Sequence, residues 1–233
     1  MPFTRRERVR AATIDEIKEI ARQHMAEKGA AALSLRAIAR DMGMTSPALY
    51  RYFASRDDLV TALIVDAYNS LADALEAARD GCGEDDHAGR LAAIAHAYRD
   101  WALVSPQEYA LIFGVPIPEY EAPPEITGPI AARSMMVFLG VLDAAQCSGQ
   151  ADFSDVQAML SPAVQEQLQP WIDKFQFHGK PELVYLALSN WGLIHGLVSL
   201  EIFGHLDTNA AKENSGALFR AEVAMLAKRL KLT

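Results

Sequence analysis

The chain has 233 residues, 51% of them hydrophobic, which is enough to bury a substantial core in one large domain or two smaller ones. Its net charge of −8 hides an asymmetry: residues 1–58 hold 11 Lys and Arg against 8 Asp and Glu, whereas residues 59–233 hold 11 against 22. That segregation points to a polyanion-binding module joined to a part that is not one. The opening "MPFTRRERVRAATIDE" is charged at once, so secretion is not expected. Cys82 and Cys147 match neither a metal-ligand spacing nor a disulfide framework and read as ordinary thiols of a reducing cytoplasm, a redox pair being the alternative.

Helical periodicity dominates, with no convincing alternating strand run, and predicts an all-α fold. Thr4 and Glu7 in "TRRE" have the capping-box spacing that starts a first helix, and Ile14, Ile17, Ala21 and Met25 give it one apolar stripe ending at Gly29. Ser34 caps a second helix, with Leu35, Ile38, Ala39 and Met42 along it and Gly43 as its stop. Thr45 or Ser46 caps a third, with Pro47 in its first turn, where a missing N–H costs little. A fourth, about 56–80, has the stripe Leu59, Leu63, Ala67, Leu71 and Leu75.

Beyond a loop at 80–89, helices are expected near 90–105, from 106 through Phe113, and near 130–146, 155–177 in pieces, 182–206 and 215–231. The five prolines of "GVPIPEYEAPPEITGP" (114–129) argue against a long helix there. The charge change suggests two domains: residues 1–58, then 59–233, with the helix of about 56–80 as the link.

Two helices of about two turns joined by a glycine-containing turn have the form of a helix-turn-helix, whose second helix enters the major groove of DNA. A plain helical hairpin has the same local form. In the DNA-binding reading, Thr45, Ser46, Pro47 and Ala48 face base edges, Leu49 and Phe53 pack inward, and Tyr50 and Tyr52 flank them. Arg36, Arg51 and Arg56 are candidate phosphate clamps, with the start of the fourth helix offering N–H groups beside Arg56. The basic stretch "RRERVR" (5–10) either reaches an adjacent minor groove or is a solvated helix start.

The stretch "LSLRAIARDMGMTSPALYRYFASRDDL" (33–59), preceded by "AEKGAAALS", resembles the N-terminal domain of the tetracycline-repressor (TetR) family, most specifically in Tyr50-Arg51-Tyr52-Phe53 followed by "RDDL". The resemblance covers about residues 8–70. It implies base or phosphate contacts from Thr45, Ser46, Pro47, Ala48, Tyr50 and Tyr52, with Arg36 and Arg56 on the backbone. Arg56 stands where the family usually has a lysine.

In the second part, "LVYLALSNWGLIHGLVSLEIFGHL" (183–206) is long and apolar enough for a membrane span, with Glu201 its one Asp, Glu, Lys or Arg. Asn190, His195 and Glu201 are costly in lipid, so burial in a protein core is the preferred reading. Gly192 and Gly196 open one face to close approach by another helix. "WGLIHG" resembles the family's C-terminal class named for its Trp-His-Gly signature, and "YRDWALVSPQEYALIF" (98–113) resembles the middle of that class. This implies an all-helical regulatory domain that dimerises and encloses an effector pocket. Trp191 and His195, one helical turn apart, are candidate pocket residues, with Trp101, Tyr109, Phe113, Met135, Met136 and Phe138 as walls by composition only; core packing is the simpler reading of each. Gly196, Phe219, Val223, Leu226 and Leu230 are candidates for the dimer interface.

The expected function is therefore that of a cytoplasmic, dimeric transcription regulator, most simply a repressor. Its partners would be a double-stranded operator, a second copy of the chain and an unidentified small-molecule effector, with no cofactor, metal or membrane. An all-α enzyme lacks support: "RDDLVT" lacks the second half of an aspartate cluster, and no nucleophile arrangement is assignable. A membrane-anchored regulator using residues 183–206 is the other alternative.

Overall fold

The computed structural model describes residues 4–175, 180–206 and 216–232, and among them there are helices and no strands. The helices are α1 (Arg5–Lys28), α2 (Leu35–Asp41), α3 (Ser46–Leu49), α4 (Arg56–Asp80), α5 (His87–Val104), α6 (Pro106–Phe113), α7 (Pro124–Cys147), α8 (Ser154–Met159), α9 (Pro162–Phe175), α10 (Pro181–Ile202) and α11 (Ala217–Arg229). A single 3₁₀ turn, Ala30–Ala32, joins α1 to α2. The ends of two expected spans, at 176–177 and 215, lie outside the described residues.

The chain divides into two compact units: Met1–Asn69 with Ser105–Pro129, and Ser70–Val104 with Ile130–Thr233. The division along the chain falls within α4, the helix expected to link the two domains. The first unit takes the first half of α4 together with α6 and the proline-rich segment.

In the first unit the core gathers Ile17, Ala21 and Met25 from α1, Leu35, Ile38 and Ala39 from α2, Leu49 and Phe53, and Leu59, Val60, Leu63 and Ile64 from α4. Leu111, Ile112, Ile117 and Tyr120 pack against that cluster, and the Tyr120 and Thr61 hydroxyls share a 2.9 Å hydrogen bond. These contacts tie the proline-rich segment to α4 within the unit. Complete burial of a leucine such as Leu49 stabilises by about 1.5–3 kcal/mol.

α7 begins at Pro124 and runs through Pro129, where the prolines had argued against a helix. Pro124 occupies the first turn, where its missing N–H has no partner to lose. The amide of Thr127 donates to the Pro123 carbonyl, and so does the Thr127 hydroxyl at 3.0 Å, so the start of the helix is secured around the second proline.

In the second unit α10 packs against α5, α8, α9 and α11, and α5 packs against α11. Both α7 and α10 are long and apolar enough to cross a membrane by length and composition. α10 nevertheless buries Leu183, Val184, Ala187, Asn190, Ile194 and Val198 inside its unit. The Asn190 side-chain amide donates to the Leu186 carbonyl at 2.7 Å, which satisfies one of its donors within the helix.

Candidate nucleic-acid interface

The reading head is built from caps and one glycine. The Ser34 hydroxyl accepts from the Ala37 amide and starts α2. At its end the Gly43 amide donates to Arg40 and the Met44 amide to Ala39, with Gly43 at φ +65°. This left-handed position lets the chain reverse within a few residues, and a side chain there is strained. Thr45 caps α3 in extended conformation without a side-chain bond, so its hydroxyl has no capping duty. Leu49 and Phe53 turn into the core, as their spacing predicts, which leaves Thr45, Pro47 and Tyr50 exposed and Ser46 and Ala48 half-buried on the outer side.

The structure gives two of the expected phosphate contacts other partners. One guanidinium nitrogen of Arg56 donates to the carbonyls of Ala30 and Ala31 at 3.3 and 3.2 Å, closing the 3₁₀ turn, and another meets Asp57. The start of α4 is sealed by a reciprocal cap: the Ser55 amide donates to the Asp58 carboxylate and the Asp58 amide to the Ser55 hydroxyl, both at 3.0 Å. With Asp57 and Asp58 in its first turn, that helix start repels a phosphate. Tyr52 is half-buried under Arg10, whose guanidinium lies 5.1 Å from the ring centre and donates to the Arg51 carbonyl at 3.3 Å. The stretch 5–10 is helical from Arg5, fixed by the Thr4–Glu7 capping box, so it is not an extended arm of the kind that threads a minor groove.

Ion pairing separates the cations of this unit into two sets. Lys18, Arg22, Lys28, Arg40 and Arg56 each lie within 4.0 Å of a carboxylate. Arg5, Arg6, Arg8, Arg10, Arg36 and Arg51 have none among the described residues, although the chain carries 30 Asp and Glu. Arg36 projects exposed from α2. Guanidinium groups held without a carboxylate on one end of an acidic chain suit a phosphate polyanion.

The second unit carries the other candidate residues. Trp191 and His195 stack on each other, ring centres 4.8 Å apart and planes at 24°, so one face of the indole is covered by the imidazole. The buried Tyr98 hydroxyl shares a 2.7 Å hydrogen bond with His195 Nδ1, and burial holds the imidazole below its ordinary pKa, which keeps the ring neutral near pH 7. Next to this group Arg99 grips Glu201 through two bonds, Nε to Oε2 at 2.7 Å and Nη2 to Oε1 at 2.5 Å, while its guanidinium covers Phe219. Trp101 is buried and donates to the Ser70 hydroxyl at 3.1 Å; Phe138 is buried and Met135 half-buried. Tyr109 and Phe113 belong to the first unit, where Tyr109 is fully buried and Phe113 meets Tyr68 edge-on. Sequence reasoning missed Tyr98 and Arg99 as partners. The signal was faint: Glu201 is an isolated acid in an apolar helix and so calls for a cation.

Of the residues expected at a dimer interface, Phe219, Val223, Leu226 and Leu230 lie inside the protomer, each at most 4% exposed, and are not available to a second chain. The outward side of α11 instead shows Leu218 and Met225, and that of α10 shows Tyr185, Leu193 and Leu200, with Phe203 exposed just past its end. A Cβ placed on Gly192 or Gly196 meets nothing within 4 Å.

A two-helix reading head with an inward leucine, an outward row of small polar residues and unpaired arginines defines a helix-turn-helix DNA-binding regulator. Comparison with known proteins gives the family. Residues 91–226 match the model of the tetracyclin repressor-like C-terminal domain, and residues 17–63 match that of the bacterial regulatory proteins of the tetR family. The chain belongs to the TetR family of transcriptional regulators.

Among its relatives is the HTH-type transcriptional regulator Rv1816 of Mycobacterium tuberculosis (strain H37Rv), 37% identical over 211 residues, covering 91% of this chain and 89% of that protein. The HTH-type transcriptional regulator Mb1846 of Mycobacterium bovis matches to the same extent. The crystal structure of the regulatory protein SCO4313 superposes with a TM-score of 0.78 at 41% identity, over 97% of this chain and all of that one. A tetR-family regulatory protein from Rhodococcus RHA1, at 17% identity and a TM-score of 0.63 over 94% of this chain and 97% of that one, shares the fold.

Proposed function

We propose that the chain acts in the cytoplasm as a homodimeric, non-catalytic repressor that reads a pseudo-palindromic operator and is released from it by a small-molecule effector. The observation that carries the DNA-binding part is the set of arginines without carboxylate partners on the start of α1, on α2 and just after α3. Thr45, Ser46, Pro47, Ala48 and Tyr50 supply hydroxyls for base edges and apolar groups for thymine methyls, and Arg36 supplies a phosphate contact that fixes register.

The outward apolar stripe of α10 and α11 supports pairing with a second copy. Tyr185, Leu193 and Leu200 recur at helical spacing, and the glycines between them permit close approach. Dimer symmetry then places two reading heads on successive major-groove faces.

The Trp191–His195–Tyr98 group is the proposed ligand contact: an aromatic stack beside one neutral hydrogen-bonding ring, suited to an apolar, ring-bearing molecule with a single polar group. An effector shifts the dimer toward a head spacing unsuited to the operator only by as much as it prefers that form.

The test is enrichment of randomised duplexes on the full-length protein, followed by a salt titration of the winner. The expected result is a two-fold-symmetric sequence with a steep fall of affinity as salt rises. Absence of any enrichment above non-specific binding contradicts the reading.

A further inference from the structure

Four of the six arginines without a carboxylate partner, Arg5, Arg6, Arg10 and Arg51, line one open concavity of about 680 Å³. Val9, Met44, Ala48 and Tyr52 complete it, and no Asp or Glu is among the lining residues. Its walls are therefore the first two turns of α1, Met44 in the turn before α3, and Ala48, Arg51 and Tyr52 in and just after α3. The acid nearest in sequence, Glu7, is committed elsewhere, its carboxylate bound to the Thr4 amide and hydroxyl at 2.7 and 2.9 Å. Arg10 is held in place by the Tyr52 ring and the Arg51 carbonyl, which uses one of its five N–H donors and leaves the rest.

We propose that this concavity is a second DNA-contact site on each reading head, taking a stretch of sugar-phosphate backbone beside the bases that α3 reads. It rests on the DNA-binding reading above. Arg5, Arg6 and Arg51 carry the phosphate charge, while Val9, Met44 and Ala48 give a floor of the polarity a deoxyribose needs. Ala48 belongs both to this floor and to the outward row of α3, so the backbone site is continuous with the base-reading face. Arg10 is a positioning residue: its grip on Tyr52 and the Arg51 carbonyl fixes the end of α3 against α1. Because the contacts go to the backbone, the site adds affinity on any sequence and sets no base preference.

The experiment measures anisotropy of a fluorescein-labelled, mixed-sequence duplex with full-length protein across a salt series. Each phosphate contact contributes about 0.9 to the slope of log affinity on log salt. Arg6→Ala/Arg51→Ala is expected to make that slope shallower by about 1.8, which by the same relation, extrapolated from about 1 M salt, weakens binding about two-hundredfold near 50 mM. Both side chains are exposed, and the Arg10 bond goes to the Arg51 backbone, so the fold has no evident stake in them.

Arg5→Ala/Arg6→Ala, confined to the first turn of α1, gives an independent reading with the same expected direction. Arg6→Lys/Arg51→Lys restores the slope, since charge is kept. Lys28→Ala, outside the concavity, leaves it unchanged. A wild-type slope in both alanine pairs, or an equal loss in Lys28→Ala, overturns the proposal while DNA binding itself stands. If the wild-type protein shows no salt-dependent binding, the DNA-binding reading falls and this site with it.

Discussion

Replacing Arg99 by leucine should unfold the second unit at markedly lower denaturant. The guanidinium and the Glu201 carboxylate are only 13% and 15% exposed and joined by two bonds, so the variant takes a two-bond cationic partner from a largely buried carboxylate. Removing one partner of a buried pair costs about 3–5 kcal/mol. The residual exposure lets water reach the carboxylate, which places the cost near the lower end, about 3 kcal/mol. Cover over the Phe219 ring is also lost, but leucine restores apolar contact there, so this adds little.

Arg99→Leu/Glu201→Leu removes both charges and is expected within about 1 kcal/mol of the parent, so the second substitution recovers about 2 kcal/mol of the cost of the first. The assay is urea unfolding followed by tryptophan fluorescence. All three tryptophans, Trp101, Trp171 and Trp191, lie in the second unit, so the signal reports that unit alone. A cost below about 1 kcal/mol for Arg99→Leu would mean the pair behaves as a solvent-screened surface bridge and would refute the reasoning. A double variant no more stable than the single would do the same.

Three further outcomes follow from the structure. Leu49→Ala, at a fully buried position of the recognition helix, should destabilise the first unit by about 3 kcal/mol and abolish duplex binding at temperatures where the parent still binds, measured by circular-dichroism melts and anisotropy. His195, held neutral by burial, contributes stability that is present above its ordinary pKa of 6.5 and lost as pH falls through its lowered folded value; between about pH 7.5 and pH 5 the parent should lose more melting temperature than His195→Gln. Equal losses would show that other groups carry the acid effect. Leu193→Glu/Met225→Glu, on the outward faces of α10 and α11, should convert a dimer to a monomer in light scattering without lowering helical content; a persisting dimer places the interface elsewhere.

The sequence made the reading head legible because its signals are local. A capping box at Thr4 and Glu7, a serine cap, a glycine at positive φ and an inward pair at Leu49 and Phe53 each act within a few residues, and each is where the spacing puts it. What remained hidden involves partners distant along the chain. Arg56 bonds carbonyls 25 and 26 positions away, in a 3₁₀ turn that leaves no periodic trace, and Arg10 covers a tyrosine 42 positions on.

In α11 periodicity supplied one apolar stripe, Phe219–Val223–Leu226–Leu230, while Leu218 and Met225 lie exposed on the other side. Spacing says which residues share a side, but not which side the rest of the protomer covers. The start of α7 was missed for a different reason: prolines disfavour helix interiors, yet Pro124 sits at a helix start and Thr127 anchors the turn between the two prolines.

The claim that the α1 start, α2 and α3 together form the DNA-reading face is tested most directly by amide hydrogen exchange on the full-length protein, with and without a bound duplex. Protection confined to about residues 5–10, 34–37 and 45–53 is the predicted result. Protection absent from those segments and centred elsewhere in the chain would contradict the account.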